Sequence, residues 1–296
     1  MSARAFGGLY ERLACRRSYR KSSRIHQIFG ASSTERPRQS HWDPELIRQL
    51  INAARPIGKR WFRWEVHGLE SFPRDGGALT VSNHSGGILT LDTLIFSTAF
   101  YERFGYDRPV LTLGHDALFT GPIGDWMSRI GLIPADRAVA TDAMQSGAVV
   151  LVFPGGVYDA YRPTLHENVI DFKGRTGYVT TALAAHAPIV PVVSIGGQQS
   201  QLFLTRGTWL AKRLGLKRLR SDILPITVGF PFGLSAIVPV NIPLPTKIVT
   251  QVLPPIDIVA EFGEDPDIAE VDAHVRSVMQ TALKELARRR HLPVLG

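Results

Sequence analysis

The chain has 296 residues, 44% of them hydrophobic, which allows one large α/β domain with a sizeable core and excludes a globally disordered protein. Its single cysteine, Cys15, excludes a disulfide framework and a zinc site built on cysteines. The formal net charge of +8 favours anionic partners, either lipid headgroups or nucleic acid.

The positive charge is concentrated near the N-terminus. Residues 1–40 contain nine arginines and lysines against two glutamates, which gives +7 (9 − 2) of the total +8. We expect residues 1–40 to form a basic, flexible segment, either a solvated tail or a contact with an anionic surface. We expect residues 41–296 to form the folded domain, with its functional motifs within 77–200. A second basic cluster consists of Arg206, Lys212, Arg213, Lys217, Arg218 and Arg220.

The first helix signal in the folded part is Asp43–Pro44, an N-cap residue followed by proline at the first helical position. Apolar residues then recur at helical spacing. Residues 59–64 mix basic and aromatic side chains, which suits either a lipid–water boundary or a helix packed on the domain.

Short β-rich runs then alternate with helical stretches. The patterns predict strands at 109–114 and 188–195, a strand leading into a glycine loop at 77–83 and again at 148–156, and a strand with its exit at 131–137. They predict helices at 90–103, 122–130, 175–186 and near 266–290. This alternation predicts an α/β fold: a single domain with a mostly parallel, mixed sheet flanked by helices. Ligands of such sheets bind beyond the carboxyl ends of the strands, where the glycine-rich loops of this chain fall.

Residues 223–246 contain no charged side chain and are long enough to cross a bilayer. Their five prolines and two glycines argue against a spanning helix, because proline removes backbone donors. We interpret the segment as irregular apolar structure that enters a membrane interface, covers a lipid-binding groove, or forms a buried connection. The first 30 residues lack the apolar stretch of a signal peptide, so we expect no secretory leader.

The first chemical motif is SNHSGGILTLD at residues 82–92. An apolar strand leads to Asn83 and His84, two glycines follow, and Asp92 comes about one helical turn later. A histidine can take a proton from an alcohol, and a carboxylate can fix its tautomer. A histidine with a purely structural role has the same local pattern.

Two further motifs follow strands. GLIPADR ends in Arg137, which can grip a phosphate or form a surface ion pair. LVFPGGVYDAYRP contains Pro154–Gly155–Gly156, a loop that can present amides to an anion or simply form a tight turn.

Taken in order, His84/Asp92, Asp136–Arg137, Phe153–Gly156 and Val190–Pro191–Val192 resemble the four motif blocks of the glycerolipid acyltransferases. The NHSGG and FPGG elements resemble most the monoacylglycerol acyltransferase-like branch. The resemblance implies an O-acyltransferase, of the 1-acylglycerol-3-phosphate or a related glycerolipid type. Its donor would be acyl-CoA or an acyl-carrier protein, its acceptor a glycerolipid such as lysophosphatidate, and no cofactor or metal would be needed.

The resemblance also implies roles for individual residues. His84 would be the general base and Asp92 its partner. Candidate substrate-binding residues are Asn83, Ser85, Gly86, Gly87, Arg137, Phe153, Pro154, Gly155, Gly156, Arg162 and Arg175. We expect the protein to work at the cytoplasmic face of the cell membrane, as a peripheral or monotopic protein in contact with anionic lipids, and to bind no nucleic acid.

The motifs depart from the family pattern at two points. The family usually reads H-x4-D, whereas seven residues separate His84 from Asp92. The phosphate-binding branch typically reads F-P-E-G-T-R-S, whereas here Gly155 stands in place of the glutamate and Val157–Tyr158 in place of the threonine and arginine. Either the acceptor lacks a phosphate, or Arg162 or Arg175 supplies the missing cation. Two other functions stay open: an acyl-thioester or lipid hydrolase that uses the same histidine, and a non-catalytic binder of anionic lipid or nucleic acid.

Overall fold

The computed structural model describes residues 41–166, 168–219, 222–292 and 294–296, so the predicted basic segment 1–40 lies outside the described residues. The helices are α1 (Pro44–Trp61), α2 (Leu91–Phe104), α3 (Gly121–Arg129), α4 (Arg137–Gln145), α5 (Gly156–Ala160), α6 (Gly177–Ala185), α7 (Thr208–Arg213), α8 (Ile258–Phe262) and α9 (Ile268–Arg289). The strands are β1 (Glu65–His67), β2 (Ala78–Ser82), β3 (Val110–Gly114), β4 (Leu132–Pro134), β5 (Val149–Val152), β6 (Ile189–Ile195), β7 (Leu202–Thr205), β8 (Ile226–Gly229), β9 (Gly233–Ser235) and β10 (Val249–Val252).

Seven of these strands form one sheet in the order β1-β10-β6-β2-β5-β3-β4. Strands β2 to β6 are all parallel, while β10 pairs antiparallel with β6 and carries β1 beside it. The structure therefore confirms the predicted α/β domain with a mostly parallel, mixed sheet. The five predicted strands appear as β2 to β6. Within 131–137, predicted as a strand and its exit, β4 spans Leu132–Pro134 and Arg137 begins α4.

Helices cover both faces of the large sheet. Successive residues of β5 and β6 point to opposite faces of the sheet. Val150 and Val193 belong to the hydrophobic cluster on one face, which also contains Met144, Val179 and Met279. Their neighbours in the strands, including Leu151 and Val192, face the opposite cluster, which contains Ile47, Ile51, Phe96 and Phe100 from α1 and α2. The central strands are thus buried on both sides, as expected of parallel strands.

Helix α1 begins where the sequence predicts. The side chain of Asp43 accepts a hydrogen bond from the Leu46 amide at 3.0 Å, and Pro44 occupies the first turn. At the other end, the indole Nε1 of the half-exposed Trp61 donates to the Pro243 carbonyl at 2.9 Å. The basic and aromatic end of α1 therefore lies against the proline-rich segment.

Strands β7, β8 and β9 form a separate antiparallel sheet that the sequence analysis did not predict. It takes up the first half of the uncharged segment 223–246, and the residues after β9 run without regular structure to β10. Phe230 and Val238 are 74% and 69% exposed, so most of this segment is not the buried connection considered above.

No helix in the described part of the chain has both the length and the hydropathy needed to cross a membrane.

Candidate active site

The predicted site lies where the adjacent parallel strands β2 and β5 end. Val81 pairs with Val152, so the loop that follows β2 and the turn that follows β5 lie side by side. His84 comes from the first and Phe153 from the second, and their rings stack with centroids 4.4 Å apart. The carboxyl edge of the sheet therefore brings two of the sequence motifs together, as the fold class predicts.

His84 and Asp92 are in direct contact. The Nδ1 atom of His84 lies 3.1 Å from Oδ2 of Asp92, and the carboxylate is almost completely buried. The imidazole is 13% exposed, and its Nε2 atom has no hydrogen-bond partner among the described residues. This contact fixes the ring orientation and leaves Nε2 without a partner among the described residues, an arrangement that is compatible with a general base.

The seven-residue spacing is bridged by a left-handed turn. Gly86 and Gly87 have φ values of +80° and +64°, which residues with a Cβ atom rarely adopt. A single 3-10 turn, Gly87–Leu89, follows, and Asp92 then lies in the first turn of α2. There the helix dipole favours a negative charge.

Ser85 holds the carboxylate of Asp92 in place. Its backbone amide donates to Oδ2 of Asp92 at 2.7 Å, and its hydroxyl donates to Oδ1 at 2.9 Å. Asn83 has a different role, because its side chain accepts from the Ser194 amide and donates to the Ser194 carbonyl, which fastens the end of β2 to β6. Both side chains are buried and bonded within the chain, so they position the loop.

A second buried carboxylate, Asp159, lies beside His84 and was not among the predicted site residues. Its Oδ2 accepts the backbone amide of His84 at 2.7 Å, and its other oxygen accepts from the guanidinium of Arg162. Burial raises the pKa of Asp159 to about 6, against the lowering effects of Arg162 and of the His84 amide. The sequence signal was an acidic residue three positions after the second glycine, in a helix of only five residues.

The Phe153–Gly156 segment forms a tight turn rather than an open amide cradle. The Gly156 amide donates to the Phe153 carbonyl at 2.9 Å, and Pro154 is buried. A Cβ on Gly155 would lie 2.5 Å from the Cβ of Asp159, so only glycine fits there. The glycines thus allow close packing of the turn on Asp159, and the turn places Phe153 against His84.

Comparisons with known proteins show the family of this chain. A family model described as Acyltransferase matches residues 63–195, which include all four motif blocks. An uncharacterised protein of Mycobacterium tuberculosis is 34% identical over 259 residues, covering 85% of this chain and 69% of the relative. The chain belongs to the glycerolipid acyltransferase family.

More distant relatives and one solved structure extend the comparison. The DGAT1/2-independent enzyme synthesizing storage lipids of Bos taurus is 26% identical, over 73% of this chain and 61% of that protein. The crystal structure of the 1-acyl-sn-glycerophosphate (LPA) acyltransferase PlsC from Thermotoga maritima shares the fold, with a TM-score of 0.50 and 17% identity. The alignment covers 90% of this chain and 89% of that one.

Two of the three arginines predicted to bind substrate in this acyltransferase form hydrogen bonds with other residues of the chain. Arg162 is 4% exposed and bonds Asp159 and the Val169 carbonyl. Arg175 donates to the carbonyls of Pro154 and Gly155 at 2.9 and 3.0 Å, which ties the turn to the start of α6. These bonds assign both guanidinium groups to positioning the loops around His84.

Arg137 differs from the other two. It is exposed at the start of α4 and forms no hydrogen bond or ion pair with any described residue. Its guanidinium lies against Gly177, with one nitrogen 2.9 Å from where a Cβ of Gly177 would stand. Of the three arginines predicted to bind substrate, Arg137 is therefore the one whose guanidinium forms no hydrogen bond or ion pair with a described residue.

A small polar cavity adjoins His84 in this acyltransferase. It is lined by Asn83, His84, Ser85, Arg162, Asn168, Ser194, Ile195, Gly196, Gln198 and Gln199. Gln198 accepts the Gly86 amide at 3.4 Å and donates to the Arg162 carbonyl, so it bridges the motifs. Both polar atoms of the Gln199 side chain are buried without a hydrogen-bond partner among the described residues.

Proposed function

We propose that this enzyme transfers a fatty acyl group from an acyl-CoA or acyl-carrier-protein thioester to a hydroxyl of a glycerolipid such as lysophosphatidate. The observation that carries the proposal is the His84–Asp92 pair, in which Nδ1 is bonded to a buried carboxylate and Nε2 has no partner among the described residues.

The reaction follows from this arrangement. Nε2 of His84 takes the proton of the acceptor hydroxyl as its oxygen attacks the thioester carbonyl. The C–S bond then breaks, and the imidazolium returns the proton to the leaving thiolate, so the products are an ester and a free thiol. Asp92 stabilises the imidazolium between the two transfers, as a carboxylate does in a hydrolase triad. All of these steps use protein side chains, so the proposal needs no metal or other cofactor.

The polar cavity beside His84 has room for about one water-sized group, about 10 Å³. Gln199 and Asn168 line it with buried polar atoms that lack a partner among the described residues. A buried polar group without a partner costs free energy, so a single hydroxyl group of an acceptor would be stabilised there. Phe153, stacked on the histidine, provides an apolar wall next to the base.

Arg137 bears on whether the preferred acceptor is phosphorylated or neutral. A phosphorylated acceptor such as lysophosphatidate fits an exposed guanidinium without an internal ion pair. A neutral acceptor such as a monoacylglycerol is the second candidate, and the hydrogen bonds that Arg162 and Arg175 form within the chain favour it.

We assign the reaction to phospholipid or other glycerolipid synthesis at the cytoplasmic face of the cell membrane, because the acceptors are membrane lipids. The enzyme would be a peripheral or monotopic membrane protein.

An acceptor panel tests the proposal. Purified enzyme is given a long-chain acyl-CoA together with glycerol 3-phosphate, lysophosphatidate, monoacylglycerol or a lysophospholipid with a headgroup, and both released thiol and new ester are measured. We expect thiol release only with an acceptor, at one ester per thiol. Full-speed thiol release without any acceptor would establish the hydrolase instead, and no turnover with any of the four would favour a non-catalytic lipid binder.

A further inference from the structure

The small sheet has one buried and one exposed face. Its register places Phe203, Thr227 and Ser235 on the same face, where Phe203 and Thr227 are buried. Leu202, Val228 and Leu234 form the matching row on the other face, and Leu202 and Leu234 are 43% and 69% exposed. The outer face of this sheet is therefore apolar and faces away from the body of the domain.

Segments next to the sheet in the chain also expose apolar side chains. The turn between β8 and β9 carries Phe230 and Phe232, which are 74% and 53% exposed. Further exposed apolar side chains in the same part of the chain are Leu204, Trp209, Leu214, Val238, Ile242 and Leu244. So many exposed apolar residues within one stretch of chain indicate an interaction surface, because exposed apolar side chains that cluster usually contact a partner.

The charged side chains near the small sheet indicate an anionic partner. Helix α7 follows β7 directly, and Lys212, Arg213 and Lys217 are exposed without an ion pair among the described residues. Over residues 202–256 the sequence contains seven arginines and lysines and one acidic residue, the exposed Asp222. Exposed aromatic and aliphatic side chains in a strongly basic stretch complement an anionic membrane surface.

The inner face of the same sheet contacts the active-site loops. The ring of Phe203 packs edge-on against Tyr161 at 5.6 Å and lies 3.0 Å from where a Cβ of Gly87 would stand. Arg206 donates to the Tyr158 carbonyl at 2.8 Å, which joins the end of β7 to α5. The loop that carries His84 is thus separated from the outer face by little more than the sheet itself, a layer on the order of 10 Å thick.

We propose that the outer face of the β7–β8–β9 sheet, with Phe230 and Phe232 at its turn and the cations of α7 at its rim, is the surface that docks the enzyme onto an anionic phospholipid bilayer. This surface, the docking face, rests on the proposed function, because a membrane-resident acceptor would then enter beside His84. The aromatic turn enters the interfacial region, and the lysines and arginines contact lipid phosphates.

Vesicle binding of the full-length chain tests the docking face without any substrate. Flotation is measured with vesicles of phosphatidylcholine alone and with vesicles containing phosphatidylglycerol. We expect the wild type to prefer the anionic vesicles, and Phe232→Ser/Leu234→Ser and Lys212→Glu/Arg213→Glu each to bind them at least about tenfold more weakly. The matched charge control is Lys284→Glu/Arg288→Glu on α9, which should bind like the wild type.

Three outcomes would overturn the docking face. Wild-type binding by both variants would assign membrane contact to another part of the chain, such as the basic residues 1–40. If the α9 control lost as much vesicle binding as the α7 variant, binding would depend on the net charge of the protein alone. A wild-type dimer in sedimentation equilibrium that Phe232→Ser/Leu234→Ser converts to monomer would show that a second copy covers this face.

The docking face and the proposed chemistry can fail separately. His84→Ala protein should still float with anionic vesicles, since the histidine is not on the docking face. Phe232→Ser/Leu234→Ser protein should retain wild-type turnover of a monomeric short-chain acceptor, which also shows that it is folded, while losing turnover of acceptor presented in vesicles. Equal loss on both acceptors would contradict a docking role.

Discussion

Replacing Asp92 by asparagine removes one charge beside the imidazole and keeps the size of the side chain. Asp92 accepts three hydrogen bonds, one from Nδ1 of His84 and two from Ser85. Asparagine offers one acceptor oxygen and a donor group, so it cannot reproduce all three. We expect the Asp92→Asn enzyme to fold and bind substrates but to stabilise the imidazolium poorly.

The size of the effect follows from the distance between the two side chains. Two unit charges 3.1 Å apart attract by about 5 kcal/mol at an effective dielectric constant of about 20. Because each 1.4 kcal/mol corresponds to a factor of ten, the loss in kcat is about 10³ to 10⁴-fold. The matched control is Ser85→Ala, which removes one hydrogen bond of Asp92 but leaves its charge, and should cost about tenfold or less.

The assay follows thiol release at saturating acceptor, so that kcat and KM are separated. Circular dichroism and thermal unfolding check that both variants fold. An Asp92→Asn enzyme with kcat within tenfold of the wild type, or with only KM changed, would refute the role of the carboxylate. Equal losses in Asp92→Asn and Ser85→Ala would also refute it, since they would show that loop geometry rather than charge matters.

Three further predictions concern residues around the pair. Arg137→Ala should raise KM about tenfold or more for a phosphorylated acceptor and leave KM for a monoacylglycerol unchanged, whereas equal effects on both would remove Arg137 from phosphate binding. Burial raises the pKa of Asp159 to about 6 from an ordinary 3.8, so the folded state holds its proton more tightly than the unfolded state does. The free energy of unfolding should therefore fall as pH rises from about 4 to 6, by about 3 kcal/mol at most. Urea unfolding should show this slope in the wild type and lose it in Asp159→Asn, and an identical slope in both would contradict the burial argument. Gly155→Ala places a Cβ 2.5 Å from that of Asp159 and should cost about 1–3 kcal/mol of stability, which an unchanged melting temperature would contradict.

The parallel core of the fold was accessible to sequence reasoning because its strands are buried on both faces. β2, β5 and β6 therefore appear as continuous apolar runs, and glycine-rich loops follow β2 and β5. Strand β1 was missed since it has three residues and is largely exposed. The small sheet was missed because it pairs 202–205 with 226–229, and no local pattern specifies a contact between segments so far apart.

The site was predictable to the level of its motifs but not of its contacts. The ordered motifs pointed to His84 and Asp92, whereas their hydrogen bond depends on two left-handed glycines and one 3-10 turn. Asp159 escaped notice because a lone acidic residue in a short helix resembles a solvated side chain. Its burial follows from the packing of the Gly155 turn under the His84 loop, a tertiary contact that spacing does not encode.

The most direct test of the central claim is the rate of acceptor-dependent ester formation by His84→Ala protein, measured beside the wild type with the acceptor that the panel selects. General-base catalysis through His84 predicts a rate at least about 10²-fold lower, with unchanged folding and vesicle binding. Wild-type ester formation by the variant would contradict the account, because another group would then have to accept the proton of the lipid hydroxyl.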